Sequence, residues 1–386
     1  MIPISYNVRN LTVRKTTTAA AASGLALVVF VFASVMMLSN GLTKTLGRSA
    51  SPDVALVMRK GATSEMESVV DVQNVNLVLN DTTVPEPAAG PRGVAELMVV
   101  ILLDKVGVDG ISNVQVRGVT DGAMDFRRSV KVIAGRKPAA GTDEVMIGKA
   151  IRGRFKGLDL EQTFDMKKNR TVKVVGVFED AGSSYESEVW ADVGLVRTTF
   201  HRDGYVSSLR VRVPPGSFAA FKASVESNRQ LDMQVLTEAE YYEKQSENTA
   251  LFISVMGTMI AVFFSIGAML GAMITMHAAV ASRQREIGTL RALGFSRASI
   301  LFSFLLEAIM LSLIGGAVGG AASLLMGFVK FSMVNFASWS EIVFAFEPTP
   351  AILVRAVVFA GFMGIVGGFF PAVRAARVSP VEAMRA

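Results

Sequence analysis

Apolar residues are distributed along this chain in two distinct ways. In four stretches, Thr18 to Leu38, Leu251 to Ala281, Ile300 to about Phe328 and Ala351 to Phe370, they follow one another almost without charge. A helix needs about 20 such residues to cross about 30 Å of hydrocarbon, so each stretch is long enough to span a bilayer. Between the first two the period shortens. Segments such as SNVQVRGVT, SVKVIAGR, EVMIG, RTVKVVGVFED and SSLRVRV alternate apolar with polar residues, the mark of half-buried strands, and VPEPAAGPRG, GRKPAAGTDE and VPPGS supply turns between them. Two short helices are expected, around Lys149 to Lys156 and Ser217 to Asn228. The pattern therefore predicts four transmembrane α-helices with a large mixed α/β domain inserted between helices 1 and 2.

The junction into the second span is informative. Thr237-Glu-Ala-Glu240 has capping-box spacing, and no proline or glycine follows until Gly257. An unbroken helix from about Glu238 to Ala281 would be about 65 Å long, so part of it would project from the membrane as a stalk. The resulting division is a leading segment 1–17, spans 18–38, 249–281, 300–328 and 351–371, an exported domain 39–248, a connecting segment 282–299, a loop 329–350 and a tail 372–386.

Charge gives the orientation. Arg9, Arg14 and Lys15 precede span one; Arg283, Arg285, Arg291 and Arg297 lie between spans two and three; Arg374, Arg377 and Arg385 follow span four. The loop between spans three and four has Lys330 against Glu341 and Glu347. By the positive-inside rule both termini are cytoplasmic and the large domain is exported. The first span reads as uncleaved, since its apolar core is longer than that of a signal peptide and no clear A-x-A site follows. The formal charge of +6 sits beside the spans and is not interleaved with exposed aromatics, so it marks membrane lipids as the partner and not nucleic acid.

Candidate chemistry is sparse. There is no cysteine, and His201 and His277 are the two histidines, far apart in sequence, so disulfide, thiolate and histidine-metal chemistry are not expected. Neither a phosphate-binding G-x-x-x-x-G-K-[ST] loop nor a G-x-S-x-G nucleophile elbow occurs. No catalytic residue, bound cofactor or metal is expected of this chain.

Within the spans, small residues recur at four-residue spacing: Gly315 with Gly319, Gly316 with Gly320, Gly364 with Gly368, and Gly267 with Gly271. This spacing lets helix backbones approach closely in lipid. Glu307 lies about two turns inside span three. Since spans one, two and four offer no charged residue in their cores, a structural role at a helix interface is expected of it, not a proton relay. In the connecting segment Ile287, Leu290 and Leu293 recur every three residues beside Arg283, Glu286 and Arg291, with Gly294 as a C′ residue and Ser296 as an N-cap. That predicts a separate short helix suited to docking a partner.

The residues RQREIGTLRALGFSRASI, FLLEAIMLSLIGGAVGG and GFFPAVRAARVSPVEAMRA strongly resemble the permease subunits of MacB/FtsX/LolC-type (type VII) ABC transporters, over the whole layout and most specifically from about residue 240 onward. VRGVTDGAMDF, VIAGRKPAAGTDEVMIG and VKVVGVFED are similar more weakly. The resemblance implies a MacB-like permease fold in the bacterial inner membrane with its large domain periplasmic. It implies that Arg285, Glu286, Ile287, Leu290, Arg291, Leu293 and Gly294 belong to a coupling helix. That helix would dock on a cytoplasmic ABC ATPase dimer carrying ATP and Mg, with the tail near the same subunit. This chain has no fused ATPase, so the ATPase is expected in trans. A second permease copy is also implied, homodimer favoured over heterodimer, with a membrane-fusion adaptor and an outer-membrane component as further candidate partners. The implied work is mechanotransmission for export or extraction of a hydrophobic or amphipathic cargo, such as a lipoprotein, lipid, peptide or drug. The alternative is an FtsX-like signalling scaffold that activates a periplasmic cell-wall hydrolase.

Overall fold

The structure, a computed structural model, describes the chain except residues 1, 2, 4, 5, 8, 10–12, 14, 86, 88, 89 and 380–386, and the side chains of Thr17 and Pro215. Arg14, part of the VPEPAAGPRG turn, and the end of the tail with Arg385 thus lie outside the described residues. Two compact units result: Met1–Asn40 with Leu251–Val329 and Ala345–Ala386, and Gly41–Ala250 with Lys330–Phe344.

The first unit is helical. The four helices long and apolar enough to cross a membrane are α1 (Lys15–Gly47), α6 (Glu238–Ser282), α8 (Arg297–Ser323, extended by a 3-10 turn to Phe328) and α9 (Pro350–Ala376). α1 continues beyond Leu38 because Leu42 and Leu46, one helical turn apart, are both buried. α6 is unbroken over 45 residues, about 68 Å at 1.5 Å per residue.

Glycine sets how closely these helices pack. The two overlapping pairs on α8 face different neighbours. A Cβ at Gly315 would lie 2.8 Å from the Ala22 carbonyl oxygen of α1, and one at Gly319 would strike the Ala26 carbonyl. Gly316 instead faces Ala360 of α9, where a Cβ would come within 2.5 Å of the Ala360 methyl, while Gly320 has room. Gly364 and Gly368 of α9 lie against Ser312 and Ala308. Gly267 and Gly271 differ from the expectation: a Cβ at either would have none of the described residues of another element within 4 Å, and Gly257, against Val35 of α1, is instead a close approach on α6. Leu25, Val29, Ala33 and Met37 of α1 meet Ile352, Ala356 and Met363 of α9 in the core of this unit, where Phe32 stacks on Phe359 at 4.5 Å.

The second unit is built on a ten-stranded sheet. Its strands are β1 (Val54–Arg59), β3 (Gly93–Asp104), β4 (Ile111–Val119), β5 (Lys131–Gly135), β6 (Glu144–Gly148), β7 (Thr163–Lys167), β8 (Arg170–Glu179), β9 (Glu188–Asp192), β11 (Ser208–Arg212) and β12 (Met233–Thr237). They run in the order β12-β1-β11-β3-β4-β9-β6-β8-β5, with β7 also on β8; β4·β9 and β6·β8 are parallel and the remaining pairs antiparallel. A short pair, β2 (Val70–Asp71) and β10 (Tyr205–Val206), stands beside it. Helices α2 (Val72–Leu79), α3 (Ala123–Phe126), α4 (Val193–Phe200) and α5 (Phe218–Ser227) complete the unit, and Leu97, Val99, Val116, Val189 and Val196 belong to its main apolar core.

Two expectations are corrected here. Lys149–Lys156 is not a helix but a chain of turns. Its amides are spent on neighbouring segments: Lys149 N donates to Phe178 O at 2.9 Å, Ala150 N to Glu186 O at 3.1 Å and Lys156 N to Asp104 O at 2.9 Å, while Gly153 takes a left-handed φ of 69°. Ile151 and Phe155 are both buried, and their four-residue spacing imitates a helical face. The loop 329–350 is likewise structured, as a hairpin of β13 (Lys330–Val334) and β14 (Glu341–Ala345). Glu341 ties it to the domain through Lys105 at 2.8 Å and Arg154 at 3.0 Å.

Because the α1–α8 contact is backbone against glycine, Gly319→Val should lower stability by about 1–3 kcal/mol, the usual cost of overpacking. Gly267→Val should be nearly neutral. Thermal unfolding of the two detergent-solubilised variants decides this; equal midpoints would contradict the assigned packing.

Candidate functional site

Two polar clusters occur where the elements meet, one in each unit. In the helical unit, Arg283 ends α6 and begins a short helix, α7 (Gln284–Ala292). Its side chain is 4% exposed, and its guanidinium Nη1 donates to Glu307 Oε2 at 3.1 Å and Oε1 at 3.4 Å. Nε donates to Glu286 Oε2 at 3.3 Å, an oxygen that also accepts from the Tyr6 hydroxyl at 3.1 Å. The guanidinium lies 5.3 Å from the Tyr6 ring and 5.2 Å from the Phe304 ring, and the Ser303 hydroxyl donates to Asn7 Oδ1 at 2.8 Å. The span cores offer Glu307 no charged partner, but Arg283 does. The partner comes from the segment between the spans, which an inspection of span cores alone omits. A lone carboxylate in an apolar span is costly, and a buried guanidinium offsets that cost only while both are present.

Around this pair the predicted helix residues divide. Ile287 is buried against Met276, Val280, Ile300 and Phe304, and Leu290 is half-buried on the same cluster. Leu293 is not part of that stripe: it is the C-cap of α7 and is 73% exposed. Gly294 has a φ of 93°, where a side chain would be strained, and the Ser296 side chain accepts from Ser299 N at 3.2 Å to start α8. Arg291 Nη1 donates to Phe295 O at 3.1 Å, closing the turn. Arg285 and Glu286 are exposed.

The second cluster was not anticipated. On β3, β4, β9 and β11 the residues Glu96, Arg117, Glu188 and Arg210 share one face of the sheet, as the register Met98↔Arg117, Gln115↔Glu188 and Val94↔Arg210 requires. All four are buried, with Glu65 and Glu238. Arg117 grips Glu188 bidentately, Nε to Oε2 at 2.6 Å and Nη2 to Oε1 at 2.7 Å, and also reaches Glu96. Arg210 pairs with Glu65 at 2.7 and 3.1 Å, with Glu96, and through Nε with Glu238 Oε1 at 2.8 Å. Arg127 joins at Glu238, whose other oxygen accepts from Ser51 N at 2.8 Å. The Tyr242 and Tyr185 hydroxyls lie 2.6 Å apart, and the Arg127 guanidinium covers the Tyr185 ring at 4.2 Å. Glu238, Tyr241 and Tyr242 are the first turns of α6, so the cluster fixes the root of that helix to the sheet.

Burial pushes the Glu65 carboxyl up, but Arg210 and Arg117 more than compensate and hold it well below the ordinary range. At Glu188 burial prevails over Arg117 and the pKa is raised. The alternation of SNVQVRG and SSLRVRV signals a sheet with one polar face. It does not signal that the polar face is itself covered, here by the Tyr185 segment, the Glu65 loop and the start of α6. An arginine within each of these two alternating segments, Arg117 and Arg210, was an available sign.

Four apolar helices and a mixed α/β domain between the first and second define a multi-pass membrane protein of the permease class. A family model described as MacB-like periplasmic core domain matches residues 18–228, over half the chain, and one described as FtsX-like permease C-terminal matches residues 258–380. The chain belongs to the MacB/FtsX-type ABC transporter permeases, and the domain between α1 and α6 is periplasmic.

Among curated proteins it is similar to the macrolide export ATP-binding/permease protein MacB of Escherichia coli (strain K12), 30% identical over 226 residues, 56% of this chain and 34% of the relative. The protein of the same name from Shigella flexneri matches with the same identity and coverage. The chain thus spans about a third of the length of the curated relatives it matches. Among solved structures, the crystal structure of the periplasmic region of MacB from Actinobacillus actinomycetemcomitans aligns at a TM-score of 0.38 and 12% identity, covering 50% of this chain and 92% of that one.

Removing one partner of a buried pair leaves the other unneutralised. Arg283→Ala should therefore cost about 3–5 kcal/mol, and adding Glu307→Gln should restore much of the loss. Thermal unfolding of the single and double variants checks this, and additive effects would deny the coupling.

Proposed function

We propose that this chain is the permease subunit of an ABC transporter and couples ATP hydrolysis in a separate cytoplasmic ATPase to conformational change in its periplasmic domain. With that domain outside, four spans put both ends of this chain and α7 in the cytoplasm. The observation that carries the reading is the two-sidedness of α7. Ile287 and Gly288 are buried inward, while Arg285, Thr289, Ala292 and Leu293 are exposed, Leu293 by 73%. The exposed face thus joins an apolar side chain, Leu293, to an arginine, Arg285, a residue type enriched among the anchors of protein interfaces.

In this reading the ATPase, as a dimer, binds ATP and Mg. Two copies of the permease, homodimer favoured, present one α7 to each ATPase subunit. This chain supplies no catalytic group. ATP-driven closure shifts α7, and α6, which runs without a break from Glu238 to Ser282, carries the shift to the sheet held by Arg210 and Arg127. The cargo class is hydrophobic or amphipathic, with a periplasmic adaptor and an outer-membrane component as candidate partners.

Ala292→Asp with Leu293→Asp tests the docking role. Both positions are exposed, so insertion and folding should persist. Affinity for the ATPase subunit should fall about thirtyfold, equivalent to the loss of a hot spot of about 2 kcal/mol. The measurement is co-purification in mild detergent with quantified ATPase. Unchanged association would remove α7 from the interface.

A further inference from the structure

On the periplasmic domain, where β4 and β9 end against α3 and the loop after β5, side chains line a half-open cavity of about 120 Å3. Val119, Met124, Pro138, Met146 and Trp190 form apolar walls. An open groove sharing Met124, Asp125 and Lys137 continues from it past Pro91, Arg128 and Val130, so that beyond the cavity Asp125 is flanked by two cations. An apolar cavity of about 150 Å3 admits benzene, so this one suits a single ring or a short branched chain. The walls include two methionines, whose unbranched thioethers adapt to varied apolar shapes. Trp190 is held by its Nε1 donating to Glu188 Oε2 at 3.0 Å and supplies a fixed surface.

The charges around the cavity are of mostly one sign. Asp121, Asp125 and Asp192 line it with Lys137, three carboxylates against one ammonium. Asp192 Oδ1 accepts from Gly194 N at 2.8 Å and Leu195 N at 3.2 Å, and Asp121 Oδ1 from Gly122 N at 3.0 Å, which fixes both groups in place. Asp125, exposed in the first turn of α3, makes no hydrogen bond or ion pair among the described residues. The fold does not use this carboxylate internally, and it stands over an apolar wall, where attraction for a cation is stronger than in open water.

We infer that this cleft binds the cationic end of an amphipathic molecule, an aromatic or branched aliphatic body carrying an ammonium group. The body fills the cavity between Met124, Met146 and Trp190, and the ammonium meets Asp125 with Asp121 and Asp192 behind it. The inference goes beyond the coupling mechanism: it requires neither ATP nor a partner, so its failure and that of the proposed function are separable.

The test uses the full chain in lipid nanodiscs with Trp339→Phe, which leaves Trp190 as the sole tryptophan of the two in the sequence. Trp190 emission is titrated with benzylamine, benzyl alcohol and phenylacetate. Benzylamine should bind saturably and about two- to fivefold more tightly than benzyl alcohol, the scale of a partly exposed charge contact, with phenylacetate weakest. Asp125→Asn should remove most of that advantage and Asp125→Lys should reverse the order of amine and carboxylate. Asp125 is exposed and unpartnered, so neither change threatens folding. Equal binding of all three compounds, or benzylamine affinity unaltered in Asp125→Lys, would overturn the inference.

Discussion

The longest helix in this protein is held at each end by a buried ion pair. Glu238, its first residue, is gripped by Arg210 and Arg127, and Arg283, the residue after its last, is gripped by Glu307. The helix between these joints, Glu238–Ser282, runs for 45 residues without a break. Neither pair stabilises by much in net terms, since desolvation offsets most of the Coulombic gain. Separating either, however, strands a charge in a low-dielectric site at a cost of several kcal/mol. The pairs therefore act as fixed joints.

The packing around the spans follows the same economy of distance. α8 presents two glycine faces, Gly315 and Gly319 to α1 and Gly316 to α9, so that one helix contacts two neighbours at backbone range. Without a hydrophobic drive between helices in lipid, this closeness is what holds them together. On α6 such approaches are made by Gly257 against Val35 of α1 and by Gly367 of α9 against Met269 and Ala272, whereas a Cβ at Gly267 or Gly271 would meet none of the described residues, and Phe263, Phe264 and Ile274 are exposed.

Much of this was legible in the sequence because one-dimensional periodicity reports local structure faithfully. Uninterrupted apolar runs gave the four membrane helices, strict alternation gave β4, β5, β6, β8 and β11, and the Thr237–Glu240 capping box forms as expected, with Glu240 N donating to Thr237 Oγ1 at 3.1 Å and Thr237 N to Glu240 Oε2 at 3.0 Å. What remained hidden depends on contacts between residues distant in the chain. Alternation cannot tell a polar face in water from one roofed by other segments, so the Arg117–Arg210 cluster was missed. Ile151 and Phe155 carry helical spacing, yet strand partners elsewhere claim the backbone of Lys149–Lys156. Leu293 continues a three-residue repeat, but the helix stops at Ala292 and turns it outward. Glu307 finds its partner 24 residues back, outside any span.

The central claim, that α7 drives the periplasmic domain through α6, can be measured directly because the chain has no cysteine and accepts a single spin label without background. With a label at Asp109→Cys, exposed in the turn between β3 and β4, the distance between two copies is read by pulsed electron resonance with the partner ATPase, with and without ATP. The account predicts an ATP-dependent shift in that distance, lost when Ala292 and Leu293 are both changed to aspartate. A distance indifferent to ATP, or a shift that survives those changes, would contradict it.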